Sequence, residues 1–237
     1  SYKTLTELND AMRARSTGRM EELMSELSAS ENKLKNKEIE LANRNQRLNE
    51  LEAELEKREQ KVDNLQQLIR RKDSSLTALQ KNIDQALLSY KGSGLSVRKE
   101  SGRIYVTLQE KLLFETGKYK VDKKGEEALV ELAAVLKKTP DVSIMVEGHT
   151  DEVPVVKGGK YDDNWELSVL RAVDVTRILT NKGGLEKERV IPAGRGPFHP
   201  EVEGNSAEAR RANRRTEIIL TPNLQSLIDS VEEYSGE

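Results

Sequence analysis

GHTDEVPVVKGGKYDDNWELSVLRA, residues 148–172, is the stretch on which the reading of this chain turns. It follows the apolar run VSIMV at 142–146, whose β-branched character predicts a strand. It ends in a helix predicted from about Asp163 or Asn164, with Arg171 about two turns in. Asp151 therefore stands just beyond a strand end and Arg171 on the next helix. Opposite charges so placed can face one mouth and suit a zwitterionic ligand: the acid takes an ammonium, and the guanidinium grips a carboxylate in a bidentate fork.

Working outward, the order after residue 94 is strand, strand, helix, strand, helix, strand, short helix, strand. Leu95 and Val97 alternate, as do Ile104, Val106 and Leu108, with Ser101-Gly102 as the hairpin turn between them. Residues 121–137 are an amphipathic helix closed by Pro140, and 164–181 a second helix stopped by Gly183-Gly184. Strands at 189–193 and 216–220 flank a short helix at 206–212. The expected class is α+β: an α/β sandwich, a mixed sheet with helices on one face.

Before this domain lies a different kind of sequence. Met20, Leu27, Leu34, Leu41, Leu48, Leu55, Val62, Ile69, Leu76 and Ile83 repeat every seven residues, and no Pro or Gly interrupts 20–91. The row three residues on is half apolar, with Lys37, Arg44, Arg58 and Lys72 able to lay methylene stems along the seam. Sustained heptads predict a long all-α coiled-coil helix, about 100 Å at ~1.5 Å per residue, and with it a homo-oligomer of open strand number and direction. A helix packing back on the globular part is the alternative. Gly92 and Gly94 mark the joint, giving a helical stalk over 1–91, a domain over 92–222 and an amphipathic tail over 223–237 carrying Leu224, Leu227, Ile228 and Val231.

Composition narrows the function classes. Of 237 residues 34% are charged and 4% aromatic, which is too polar for one large core and fits a helix joined to an ordinary domain. A net charge of −2 gives no field to draw in nucleic acid, and the basic run Arg210, Arg211, Arg214, Arg215 lacks interleaved aromatics. Without cysteine there is no disulfide, thiolate metal site or thiol nucleophile. With two histidines, His149 and His199, and no HExxH there is no metal set, and Ser168 has no base at useful spacing. The expectation is therefore no enzyme, no cofactor and no metal. His149 is expected to be a structural hydrogen-bonding residue, and Trp165 to pack under the loop beside it.

Four blocks in order resemble the OmpA-like peptidoglycan-binding domain shared by outer-membrane proteins, peptidoglycan-associated lipoproteins and flagellar stator proteins. They are GHTD at 148–151, NWELS at 164–168 with Arg171-Ala172, GRG at 194–196 and NRR at 213–215 before an apolar strand, and the resemblance covers about 94–220. It implies non-covalent binding of the diaminopimelate residue of the stem peptide, with Asp151 on the ligand ammonium and Arg171 on its carboxylate. Thr150, Asn164 and Leu167 would line the pocket, Phe114 would shape it and Arg214 would lie close by. Two departures stand out: Glu152-Val153-Pro154 opens a longer loop, closer to the stator type, and Ala209 occupies a position often held by glycine.

The resemblance further implies a periplasmic protein tethering the outer membrane to the wall, lipoprotein-like, with an N-terminal anchor and export signal lying outside this sequence. A stator-like or transport-accessory protein that uses wall binding to immobilise a membrane complex is the alternative. No apolar stretch approaches the roughly 20 residues of a membrane helix.

Overall fold

In the computed structural model, residues 2–115, 117–156 and 160–223 are described; the tail residues Leu224, Leu227, Ile228 and Val231 lie outside them. The chain divides into two compact units, Ser1–Asn64 and Leu65–Glu237. Helix α1 is Tyr2–Ala86.

Within the first unit the leucines of the heptad row point to water in the single chain: Leu27, Leu34, Leu41, Leu48 and Leu55 are all more than half exposed. The charged members of the second row have local partners. Arg44 and Lys37 meet Glu40 at 2.6 and 3.0 Å, and Arg58 meets Glu54 at 2.6 Å. Such i,i+3 and i,i+4 pairs support an isolated helix by only about 0.2–0.5 kcal/mol each. No helix among the described residues is long and apolar enough to cross a membrane.

The second unit begins earlier than the glycines at 92 and 94 suggest. Leu76, Leu79 and Ile83, from the last turns of α1, are buried in its core with Leu87 and Tyr90. Ile69, on the same heptad row, is 58% exposed, whereas Leu76 is 4% exposed. One unbroken sequence pattern thus changes environment along its length. A 3-10 segment, Leu88–Ser93, then carries the chain to Gly94, whose φ of 101° suits glycine alone and turns the chain into the sheet.

Strands β1 (Leu95–Glu100) and β2 (Arg103–Gln109) form the expected hairpin. Ser101 and Gly102 both have positive φ, 48° and 72°, which matches the right-handed strand twist in a two-residue turn. The remaining elements are α2 (Glu110–Leu113), α3 (Lys123–Leu136), β3 (Val142–His149), α4 (Asn164–Arg177), β4 (Val190–Gly196), α5 (Ala207–Asn213) and β5 (Arg215–Pro222). The sheet order is β1-β2-β5-β3-β4, antiparallel except for β3 beside β4. This is the mixed sheet read from the sequence. Helix α4 ends one turn before Asn181, because Ile178–Lys182 widens into a π turn ahead of Gly184 at φ 70°.

Strand alternation sorts the two faces. Ile104, Val106, Leu108, Val142, Ile144, Val146, Ile218 and Leu220 turn to one side, where they meet Leu129, Leu132 and Leu136 of α3, Ala172 and Val175 of α4 and the end of α1. The other side carries Arg98, Tyr105, Met145, Glu147, Arg195, Glu217 and Ile219.

Candidate binding site

Asp122, Asp163 and Ser206 each cap a helix by accepting a backbone N–H three residues on, from Gly125, Glu166 and Ala209. The cap at Asp163 fixes where α4 starts and hence which face carries Arg171. How close α4 comes to the sheet is set by two glycines. A Cβ on Gly148 would lie 2.2 Å from the Ser168 carbonyl oxygen, and one on Gly194 would lie 2.5 Å from Ser168 Oγ. That hydroxyl in turn accepts from Gly196 N at 3.1 Å and donates to Trp165 O at 2.8 Å. GHTD, GRG and the serine of NWELS therefore form one packing joint. At its edge β3 bulges between Gly148 and His149, where Thr150 N donates to Gly196 O at 3.0 Å, and this aims residues 150 and 151 beyond the sheet.

Thr150, Asp151, Asn164, Leu167, Arg171 and Arg214 line one cavity of about 610 Å³. Asp151 and Arg171 do not pair with each other. Asp151 accepts from Arg214 at 2.6 Å and from Val153 N at 3.2 Å. Arg214 also donates to Glu110, and Glu110 accepts from Arg171 through its other oxygen. The result is a chain of alternating charge: Asp151, Arg214, Glu110, Arg171. Burial pulls the Arg214 pKa down, but hydrogen bonds to Asp151 and Glu110 outweigh it and raise it above the usual arginine value.

Arg171, 3% exposed, also donates to Lys118 O at 3.2 Å. Phe114 lies beneath it, with the guanidinium carbon 4.9 Å from the ring centroid. Phe114 is itself buried and contributes as a platform for the arginine rather than as cavity wall. Asn164 donates to the backbone oxygens of Asp151 and Val153 at 3.3 and 3.0 Å and so holds the loop to α4. Thr150 Oγ1 is buried without a hydrogen-bond partner among the described residues, which leaves a polar group for a bound molecule to satisfy.

Glu110, Gly117, Tyr161, Val153, Pro154, Val155, Val156, Lys160 and Arg210 line the same cavity and were not foreseen. Glu110 carries no motif signal, since it only follows the β2 strand. Tyr161, whose hydroxyl donates to Gly117 O at 3.3 Å, has its pKa raised by burial. Trp165, expected to pack under the loop, is 46% exposed and stacks on Phe198 at 5.2 Å. Asn213 of the NRR block accepts from Glu201 N and Val202 N at 2.8 and 3.0 Å, and so positions the turn into β5. Strand alternation then sends Arg215 to the opposite face of the sheet from Arg214.

On that opposite face His149 Nε2 stands 3.2 Å from Glu147 and 3.9 Å from Glu217. Among the described residues these three form the group whose spacing, within 4.8 Å, could hold a metal ion. Arginines already occupy it: Arg195 donates to Glu147 at 3.0 Å, Arg98 to Glu217 at 3.0 Å, and Arg215 lies 3.4 Å from Glu217. Three guanidiniums beside two carboxylates fit a buried ionic network better than a divalent cation. His149 and Arg195 hold the Glu147 carboxyl down to about 2, against the opposing effect of burial.

Residues 113–214 match the model of the OmpA family. The chain is 30% identical over 128 residues to motility protein B of Bacillus subtilis, covering 54% of this chain and 49% of the relative. It is 31% identical over 132 residues to the probable lipoprotein YiaD of Escherichia coli, covering 56% and 58%. It thus spans about half the length of the curated relatives it matches. Among solved structures, the cell wall anchor of the T6SS from Pseudomonas aeruginosa is 28% identical with a TM-score of 0.55, over 61% of this chain and 99% of that one.

Proposed function

This chain carries an OmpA-family domain, and on that premise we propose that it binds peptidoglycan non-covalently through the diaminopimelate residue of the stem peptide. The observation that carries the reading is the alternating charge chain in one cavity, ending in Asp151 at one side and Arg171 at the other. A zwitterion can insert its ammonium at Asp151, with Arg214 falling back on Glu110, while its carboxylate meets the Arg171 guanidinium. The buried Thr150 hydroxyl supplies a further hydrogen bond. Exchange of one set of charge-assisted bonds for another implies modest affinity per site. The role is binding, without bond making or breaking.

The heptad row supports self-association, since its leucines are exposed in the single chain and a seven-residue period drifts about 20° per heptad on a straight helix unless the helices supercoil. Several sites on one coiled coil raise wall affinity by avidity. In this reading the chain works in the periplasm, joined to the outer membrane by an N-terminal anchor. A second reading, wall attachment of a membrane-embedded machine, is favoured by the likeness to the cell wall anchor of the T6SS and to motility protein B.

Co-sedimentation with purified sacculi tests the function. Wild-type protein is expected in the pellet and the Asp151→Asn, Arg171→Lys double variant in the supernatant. Release of soluble wall fragments would instead indicate an enzyme.

A further inference from the structure

The cavity holds more positive charge than its floor uses. Asp151, Glu110, Arg171 and Arg214 are two acids and two bases, joined to one another. Lys160 and Arg210 line the same cavity in addition. No carboxylate lies within ion-pair distance of Lys160 among the described residues, and Arg210 spends one donor on the uncharged Asn205 carbonyl at 2.7 Å. The buried, unpartnered hydroxyl of Thr150 is in the same wall. Val153, Pro154, Val155 and Val156 supply an apolar part of the same lining. A free zwitterion has no net charge and leaves two cations unanswered, so the cavity is complementary to a larger, anionic molecule.

We propose that this cavity takes a peptide bearing carboxylates beyond its zwitterionic end, with Lys160 and Arg210 receiving those extra carboxylates, so that the domain distinguishes fully anionic stem peptides from amidated ones. The proposal rests on the peptidoglycan reading given above. Its physical basis is electrostatic complementarity at a rim: exposed cations contribute little energy each, are screened by salt, and act mainly on specificity and encounter rate. The zwitterionic end supplies the floor contacts, and the remaining carboxylates decide which peptide is preferred.

The test is calorimetric titration of the whole chain at low salt with three synthetic peptides of one sequence containing diaminopimelate. The first has every carboxylate free. In the second, carboxylates outside the zwitterionic end are amidated, and in the third only the carboxylate of the zwitterionic end is amidated. The second is expected to bind about 3- to 10-fold more weakly than the first, the range of one or two exposed ion pairs; the third is expected to lose binding.

Lys160→Gln and Arg210→Gln should each lower affinity for the first peptide while leaving the second unchanged, and Arg210→Lys should retain most of the preference. Lys160 is exposed, so its variant is expected to fold whatever the fate of Arg210→Gln. Equal binding of the first two peptides, with the third still rejected, would overturn this proposal and leave the peptidoglycan reading standing. Failure of all three to bind would overturn both.

Discussion

The backbone oxygen of Ser168 stands where a Cβ on Gly148 would come within 2.2 Å of it. This contact between β3 and α4 sets the distance between Asp151, three residues beyond Gly148, and Arg171, three residues beyond Ser168. Packing of the motif and placement of the charges are the same event.

Gly148→Ala should therefore push α4 off the sheet. The clash is with the Ser168 backbone, which cannot rotate away, so destabilisation of about 1–3 kcal/mol or more is expected. Denaturant unfolding measures it. Loss of peptide affinity should exceed what the residual folded fraction explains, and unchanged stability would show that the strand and helix can separate freely.

Arg171→Lys keeps the charge opposite Glu110 but loses the planar fork over Phe114. Weakening of diaminopimelate-peptide binding by about 1.5–3 kcal/mol is expected, the value of a charged hydrogen bond. Asp151→Asn should weaken binding similarly, by removing the charge that answers the ammonium. Both variants should keep wild-type circular dichroism, because the Arg214–Glu110 pair is retained in each. Wild-type affinity in either variant would assign the pair a purely structural role.

A chain beginning at Gly92 lacks Leu76, Leu79, Ile83, Leu87 and Tyr90, all of them core residues. Each buried aliphatic side chain is worth about 1.5–3 kcal/mol, and ordering the helix returns only part of that. A chain beginning at Leu65 should thus be more stable by at least about 3 kcal/mol, seen as a higher melting temperature. Equal stability of the two would mean that the helix end is a loose attachment.

Leu48→Asp leaves the single chain unharmed, since that side chain is 55% exposed there. In an assembled seam the same carboxylate loses its hydration without a partner. Analytical ultracentrifugation should show the wild type associated and the variant shifted to monomer. A wild type that is monomeric at tens of micromolar, a rough scale for modest coiled coils, removes the oligomer.

Glu147 gives a pH signature. Its folded pKa of about 2 lies below the usual 4.5 because His149 and Arg195 stabilise the ionised form. A lowered folded pKa means that the stabilisation is complete above about pH 4.5 and is lost as pH falls towards 2, up to about 3 kcal/mol. Glu147→Gln should flatten the melting-temperature profile in that window. An unchanged slope would place the acid sensitivity elsewhere.

Much of this molecule is legible in its sequence because the patterns are local. The heptad row, the alternation of Ile104, Val106 and Leu108, the Ser101-Gly102 turn and the helix start near Asp163 each act within a few residues of themselves, and the mixed sheet with its helices follows from their order. The four motif blocks likewise brought six of the seven expected site residues to one cavity wall. Tertiary structure alone decided who pairs with whom. Arg214 reaches Asp151 across 63 positions and Arg171 reaches Glu110 across 61, so no periodicity links them. It also decided where the heptads change role, because Ile69 and Leu76 are equivalent in the repeat and only the presence of a core beside one of them separates a water-facing side chain from a buried one.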